Sequence, residues 1–113
     1  MDNIQGSLYI VSTPIGNLDD ITLRAIEVLN KVDICACEDT RISNILFRKY
    51  QIKTNLTSYH KFSEKSKLDV LIGFMKSGKD VALISDAGTP LISDPGHFLV
   101  DAAIKSKIRI IPI

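Results

Sequence analysis

The fold class this sequence predicts is α/β: a mainly parallel five-stranded sheet with helices on both faces, in the order β-α-β-α-β-α-β-α-β. Three observations predict it. Short apolar, strand-like runs alternate with segments whose apolar residues recur at spacings of three and four. The joins between them are only a few residues long, which suits right-handed βαβ crossovers. Two of the strand-like runs also empty into loops of Gly, Pro, Asp and small hydroxyl residues. Tyr9-Ile10-Val11 leads into Ser12-Thr13-Pro14-Ile15-Gly16-Asn17, and Val81-Ala82-Leu83-Ile84 into Ser85-Asp86-Ala87-Gly88-Thr89-Pro90. In a parallel sheet, loops leaving the carboxyl ends of strands are where ligands bind.

Taken in order, residues 7 to 12 read as the first strand. Asp20 can cap a helix whose apolar face is Leu23, Ile26, Val28 and Leu29. Val32 to Cys37 is a second strand. Asp39 and Thr40 offer caps for a helix carrying Ile42, Ile45, Leu46 and Phe47 on one side, with Arg41, Arg48 and Lys49 elsewhere. A short third strand spans about Asn55 to Tyr59. Ser63 can cap the next helix, with Leu68, Leu71, Ile72 and Met75 on its apolar face and Ser77-Gly78 as its stop. Asp80 to Ser85 is the fourth strand. Asp94 as cap and Pro95 in the first turn open a helix bearing Phe98, Leu99, Ala102 and Ala103. Arg109 to Ile113 closes the series as a fifth strand.

The 113 residues, 45% of them hydrophobic, suit one compact domain. No apolar run is long enough to span a bilayer and no charged-then-apolar leader opens the chain, so a cytoplasmic protein without a membrane partner is expected. Because the chain stops inside the apolar run Ile110-Ile111-Pro112-Ile113, a longer natural protein is expected. Cys35 and Cys37 alternate along a strand on one face, too local for a useful disulfide, and read as small buried hydrophobes. With His60 and His97 far apart in sequence, no metal site is expected.

Charge is unevenly spread. Residues 1 to 40 carry net −5, residues 41 to 67 net +6, and the remainder balances. The basic segment from Arg41 to Lys67 is interleaved with Phe47, Tyr50, Tyr59, His60 and Phe62. Such a mixture tracks phosphates and stacks bases, or is a solvated helix face with some of its aromatics in the core.

The second loop carries the most information. Ile84-Ser85-Asp86-Ala87-Gly88 and Ile92-Ser93-Asp94-Pro95-Gly96 are near-identical pentads bracketing Thr89-Pro90. Gly allows close backbone approach and Pro stiffens the rest, as a preformed pocket edge needs; tight strand-to-helix turns are the plainer reading. Neither G-x-G-x-x-G nor a Gly-Lys-Ser/Thr phosphate cradle is present. The lining instead offers Asn17, Asp19, Asp20, Asp86 and Asp94, acceptors for ammonium, amide or ribose hydroxyl donors. The charge type matches S-adenosylmethionine without singling it out. Glu38-Asp39-Thr40-Arg41 ends the second strand, where it can grip a ribose, place a base or cap a helix, and Tyr59-His60 ends the third.

The motifs Thr13-Pro14-Ile15-Gly16-Asn17-Leu18, Asp20-Ile21-Thr22-Leu23-Arg24-Ala25, Glu38-Asp39-Thr40-Arg41, Ser58-Tyr59-His60 and residues 85–96 occur in this order along nearly the whole chain. Together they resemble the amino-terminal domain of the tetrapyrrole methylase superfamily, and within it the ribosomal RNA small-subunit methyltransferases that modify a cytidine ribose 2′-hydroxyl. The resemblance implies a two-domain protein binding S-adenosylmethionine between its α/β domains, residues 1–113 being the first. Pro14, Gly16 and Asn17 would form one cofactor wall, Asp86, Ala87, Gly88 and Thr89 another, and Ser93 and Asp94 the loop behind. Arg41 to Lys67 would face small-subunit ribosomal RNA. Glu38, Asp39, Arg41 and His60 are the catalytic candidates near the ribose oxygen, without a choice among them. The rival readings are methylation of a small tetrapyrrole, a non-catalytic RNA-binding module and a flavodoxin-like module. An apolar sheet face left uncovered would favour a homodimer.

Overall fold

The computed structural model describes residues 4–13, 18–59, 64–86 and 95–113. Strand β1 (Ser7–Thr13) is followed by a short 3-10 turn (Leu18–Asp20), α1 (Leu23–Lys31), β2 (Ile34–Cys37), α2 (Thr40–Lys49) and β3 (Asn55–Ser58). Then come α3 (Glu64–Lys76), β4 (Val81–Asp86), α4 (Pro95–Lys105) and β5 (Arg109–Pro112). The strands form one sheet in the order β3-β2-β4-β1-β5, and every pairing is parallel.

Strand alternation divides the core into two layers. Tyr9, Val11, Cys35 and Ala82 face α1 and α2, whereas Leu8, Ile10, Ala36, Val81 and Leu83 face α3 and α4. Covered on both sides, the inner strands need apolar residues at successive positions, which is why they read as continuous runs. The chain steps one way across the sheet from β1 to β3 and back from β3 to β5. Right-handed crossovers therefore put α1 and α2 on one face and α3 and α4 on the other. Pro112 sits in edge strand β5, opposite Ile10, where its missing donor removes no ladder bond.

Several expectations need correction. Thr22, not Asp20, caps α1: its Oγ1 accepts from the Ala25 N–H at 3.0 Å, while Asp20 lies in the 3-10 turn. The buried face of α1 is Ala25, Val28 and Leu29, and Leu23 is 86% exposed. On α2 the buried face is Ser43, Leu46 and Phe47, leaving Ile42 and Ile45 at 65% and 60% exposure. Phe98 on α4 is exposed, with Leu99 and Ala103 inward. One face of a short helix accommodates only about one residue per turn against a sheet, so the apolar residues beside that stripe remain outside. The third and fifth strands end at Ser58 and Pro112, β2 begins at Ile34 and β4 begins at Val81. Asp39 caps α2 and Pro95 opens α4 as expected, while Ser63 and Asp94 lie outside the described residues.

The exits of α2, α3 and α4 are built alike, whereas α1 ends on an extended Val32 whose N–H donates to Val28 O. At α2 the Ile52 N–H donates to Phe47 O and Gln51 N–H to Arg48 O; at α3 Lys79 donates to Phe74 O and Gly78 to Met75 O; at α4 Ile108 donates to Ala103 O and Lys107 to Ile104 O. This pattern requires a left-handed residue after the cap, and Gly78 (φ +100°), Gln51 (φ +55°) and Lys107 (φ +60°) supply it. Only the first does so without a Cβ penalty.

Two aspartates organise the amino edge of the sheet. The Asp80 carboxylate accepts from Ser7 N–H at 2.8 Å, the Asp33 carboxylate accepts from Asp80 N–H at 2.8 Å, and Asp33 N–H donates to Asp80 O at 2.9 Å. These bonds tie the starts of β1, β2 and β4 together. Beside them Gly6 donates to Met75 O at 2.7 Å, and a Cβ there would lie 1.8 Å from Lys79 O.

Gly6→Ala is therefore expected to lower stability by about 2–3 kcal/mol, as overpacking against backbone does; an unchanged urea midpoint would show that this edge yields. Lys107→Gly relieves a left-handed side chain away from the sheet's carboxyl edge, so it should raise stability by about 0.5–1 kcal/mol, read as a higher Tm.

Candidate functional site

The carboxyl edge of the sheet gathers the ends of the inner strands. Ser12 pairs with Ser85 and Thr13 with Asp86, so β1 and β4 stop at the same level and their following loops start side by side. Ile34 pairs with Val81 and Ala36 with Leu83; two further residues along this register put Glu38 level with Ser85. At the usual strand spacing, Glu38 and Ser12 are about 10 Å apart across β4. Both neighbours of β4 send their chains to the α1/α2 face, whereas β4 sends its own to the α3/α4 face. Such a change of face opens a crevice at the carboxyl ends of parallel strands, the usual ligand position in open α/β sheets.

Of the expected cofactor-wall residues, Pro14, Gly16, Asn17, Ala87, Gly88, Thr89, Ser93 and Asp94 lie outside the described residues, and Asp86 is placed as the last residue of β4. The stems of both loops are nevertheless defined. Thr13 is buried at the top of β1 on the α1 side. Asp19, just beyond the first loop, pairs with Lys49 at 3.1 Å, and Asp20 is exposed.

At the end of β2, Asp39 caps α2. Its Oδ1 accepts from the backbone N–H of Arg41 at 2.9 Å, while Arg41 Nε and Nη2 reach Oδ1 and Oδ2 at 3.2 and 3.1 Å. Hydrogen bonds from the Arg41 side chain and then its backbone hold the Asp39 carboxyl below the usual carboxylate range. A carboxylate so engaged is a weak base. Glu38, its exposed neighbour, makes no hydrogen bond or ion pair among the described residues and remains open to a ligand. The Arg41 guanidinium, 89% exposed while gripped by Asp39, is a cation held in place at the rim. Tyr59 is buried, and its N–H donates to Cys37 O at 2.7 Å, carrying the end of β3 to the same edge; His60, the next residue, lies outside the described residues.

Cys35 and Cys37 are buried free thiols, as expected, and burial raises the pKa of both. Ser43, a buried hydroxyl in α2 that apolar periodicity does not find, offsets part of the rise at Cys37, whose Sγ donates to Thr57 O at 3.8 Å. Among the described residues no group of His, Cys, Asp or Glu is arranged to hold a metal ion, and no helix is long and apolar enough to cross a membrane.

Residues 7–112 match the family model described as Tetrapyrrole (Corrin/Porphyrin) Methylases. The chain is 62% identical over 101 residues to a protein named ribosomal RNA small subunit methyltransferase I from Mycoplasmopsis pulmonis, covering 89% of this chain and 46% of that one. It is 49% identical over 112 residues to a protein of the same name from Escherichia coli O157:H7, covering 99% and 39% respectively. It thus spans less than half the length of these relatives. In shape it is similar to the crystal structure of uroporphyrin-III-C-methyltransferase from Thermus thermophilus, with a TM-score of 0.71 at 19% identity, over 96% of this chain and 46% of that one. At that identity the likeness is one of fold alone.

Because the folded pKa of Asp39 is depressed, its contribution to stability is present above the unfolded carboxyl value and disappears as pH falls through the folded one. In Arg41→Ala the Asp39 titration, followed by carboxyl carbon NMR shift, should move up toward its ordinary value of 3.8. An unmoved midpoint would mean that Arg41 is not what holds it down.

Proposed function

Because the chain belongs to the tetrapyrrole (corrin/porphyrin) methylase family, we propose that it is the amino-terminal α/β domain of an S-adenosylmethionine-dependent methyltransferase. We infer that the substrate is a cytidine ribose 2′-hydroxyl in small-subunit ribosomal RNA. The observation that carries the reading is the level ending of β1 and β4 at the edge where the connections change face, with Glu38 one strand away. The high identity to relatives named for ribosomal RNA, against 19% to the porphyrin enzyme, supports RNA over a small tetrapyrrole.

The donor set fits the cofactor. The edge and its loops present carboxylates and a carboxamide in place of a phosphate cradle, which suits an ammonium group and a ribose diol. In this reading Pro14, Gly16 and Asn17 form one wall of the cofactor cleft, Asp86, Ala87, Gly88 and Thr89 the other, and Ser93 and Asp94 back the second loop. Bound there, S-adenosylmethionine supplies an electrophilic methyl group. The chain's own task is alignment, which carries much of the rate when the transfer itself is favourable.

With Asp39 engaged by the cap and by Arg41, Glu38 is an exposed carboxylate at the end of β2 available to accept the ribose hydroxyl proton, and His60 is the other candidate base. Arg41, held by Asp39, is placed to meet a flanking phosphate. The remainder of the cleft is assigned to a second domain, in keeping with the share of each relative that the chain covers.

The test uses full-length protein, isolated small ribosomal subunits and S-adenosylhomocysteine calorimetry. Arg41→Ala should raise the KM for RNA while leaving S-adenosylhomocysteine affinity within twofold, and Glu38→Gln should lower kcat by about 10²-fold. Methyl incorporation at a base in place of a ribose hydroxyl would overturn the assigned substrate atom. Equal loss of RNA and cofactor binding in Arg41→Ala would remove its proposed role.

A further inference from the structure

At the far end of α2 from the loop edge lies an open hollow of about 530 Å³, rimmed by Asn44, Arg48, Gln51, Lys53 and Asn55. Its volume falls within the usual range of small-ligand sites. Phe47 and Ile52 form its buried apolar floor, held together by the Ile52-to-Phe47 bond that closes the helix.

Among the described residues of the basic segment, the charge state of the hollow sets it apart. Arg41 is paired with Asp39, Lys49 with Asp19, and Lys67 donates to Thr57 Oγ1 at 2.7 Å. Arg48 and Lys53 have no carboxylate partner among the described residues, and no acidic residue lines the hollow. Beside these two cations stand three carboxamides, each with donors and an acceptor, the groups that read a base edge. Gln51 holds its place at φ +55°, a conformation costly to any residue with a Cβ. Lys107 is held in the same way, so strain alone does not distinguish Gln51; its position on the rim of the hollow does.

Position along the helix supplies the link to the reaction edge. Arg41, Asn44 and Arg48 are exposed at spacings of three and four, which puts them on one stripe of α2. The stripe runs about 10 Å from the rim beside Asp39 to the hollow. A single strand lying along it passes from one end to the other within a few nucleotides.

We propose that this hollow is an RNA exosite. It takes one nucleotide a few positions from the modified ribose, its phosphate on Arg48 and Lys53 and its base against the carboxamides of Asn44, Gln51 and Asn55. The inference rests on the methyltransferase reading, whose substrate RNA it positions.

The experiment is a fluorescence-anisotropy salt series with the full-length protein and a labelled single-stranded RNA 12-mer. Arg48→Ala/Lys53→Ala should lose at least tenfold in affinity at 0.1 M salt. Its slope of log K against log salt should flatten by about 0.7, since one phosphate is released and each phosphate neutralised on a single strand contributes about 0.7. Gln51→Gly should bind more weakly while melting at a higher temperature, which separates lost contact from lost fold. Lys76→Ala/Arg109→Ala, removing equal charge elsewhere, should stay within twofold. The proposal is overturned by absent RNA binding in the parent chain, by equal losses in the two double variants, or by polyglutamate competing as well as RNA. In the full-length protein, unchanged RNA KM in Arg48→Ala/Lys53→Ala alongside intact methylation overturns the exosite alone. RNA binding with the expected variant losses but no methyl transfer overturns the methyltransferase reading alone.

Discussion

The parallel, in-register pairing of β1 with β4 is the constraint on which the rest of this structure depends. Six successive residues of each strand face one another, from Leu8 opposite Val81 to Thr13 opposite Asp86. Because side chains alternate between faces, a slip of one residue would exchange the two apolar layers and turn Tyr9 and Val11 toward α3 and α4. The register is held from below by Asp80, whose carboxylate receives Ser7 N–H, and by the close approach of Gly6 to Lys79. The same register brings the two loop stems level at the top. Stability and the geometry of the candidate site therefore rest on one set of contacts.

The two ends of the sheet have taken different chemistry. At the amino edge, Asp33 and Asp80 are consumed in satisfying backbone donors. At the carboxyl edge, Asp39 is consumed in the same way by α2, yet this leaves Glu38 exposed and fixes an arginine beside it. A cap and a site thus share one motif: the helix needs an acceptor at its first turn, and the acceptor in turn holds a cation at the rim. Along the stripe Arg41, Asn44, Arg48 of α2, an arginine held by Asp39 at one end gives way to one with no carboxylate partner among the described residues at the other, while Lys49 beside it pairs with Asp19. The run of net +6 in residues 41 to 67 is therefore not one uniform surface.

Much of the architecture was legible in the chain. Continuous apolar runs such as Val81–Ile84 could only belong to strands covered on both faces, and four helices on short joins left a parallel sheet as the economical solution. Helix faces were less legible. Leu23, Ile42 and Ile45 fit the apolar period as well as the residues that are buried, and Ser43 does not fit it at all. Periodicity gives the direction of a stripe but not which of two adjacent stripes meets the sheet, and a buried serine answers to a neighbour, Cys37, that lies on another element. Asp20 and Thr22 were both acceptable caps, and the choice fell to the one whose oxygen reaches Ala25 N–H.

By itself, then, the sequence determined the order and type of the elements, the two loops that leave strand ends, Asp39 and Thr40 as the candidate caps of α2 and the separation of acidic and basic segments. These follow from neighbours along the chain, where spacing is enough. The tertiary structure alone decided that β4 lies between β2 and β1, that Thr13 and Asp86 end level, and that Asp80 closes onto Ser7. It also decided that Arg48, Gln51 and Lys53 curl around one hollow. Strand order and register are choices among crossovers of nearly equal local cost, and they are settled by which arrangement buries both faces of the sheet while satisfying the donors at its edges.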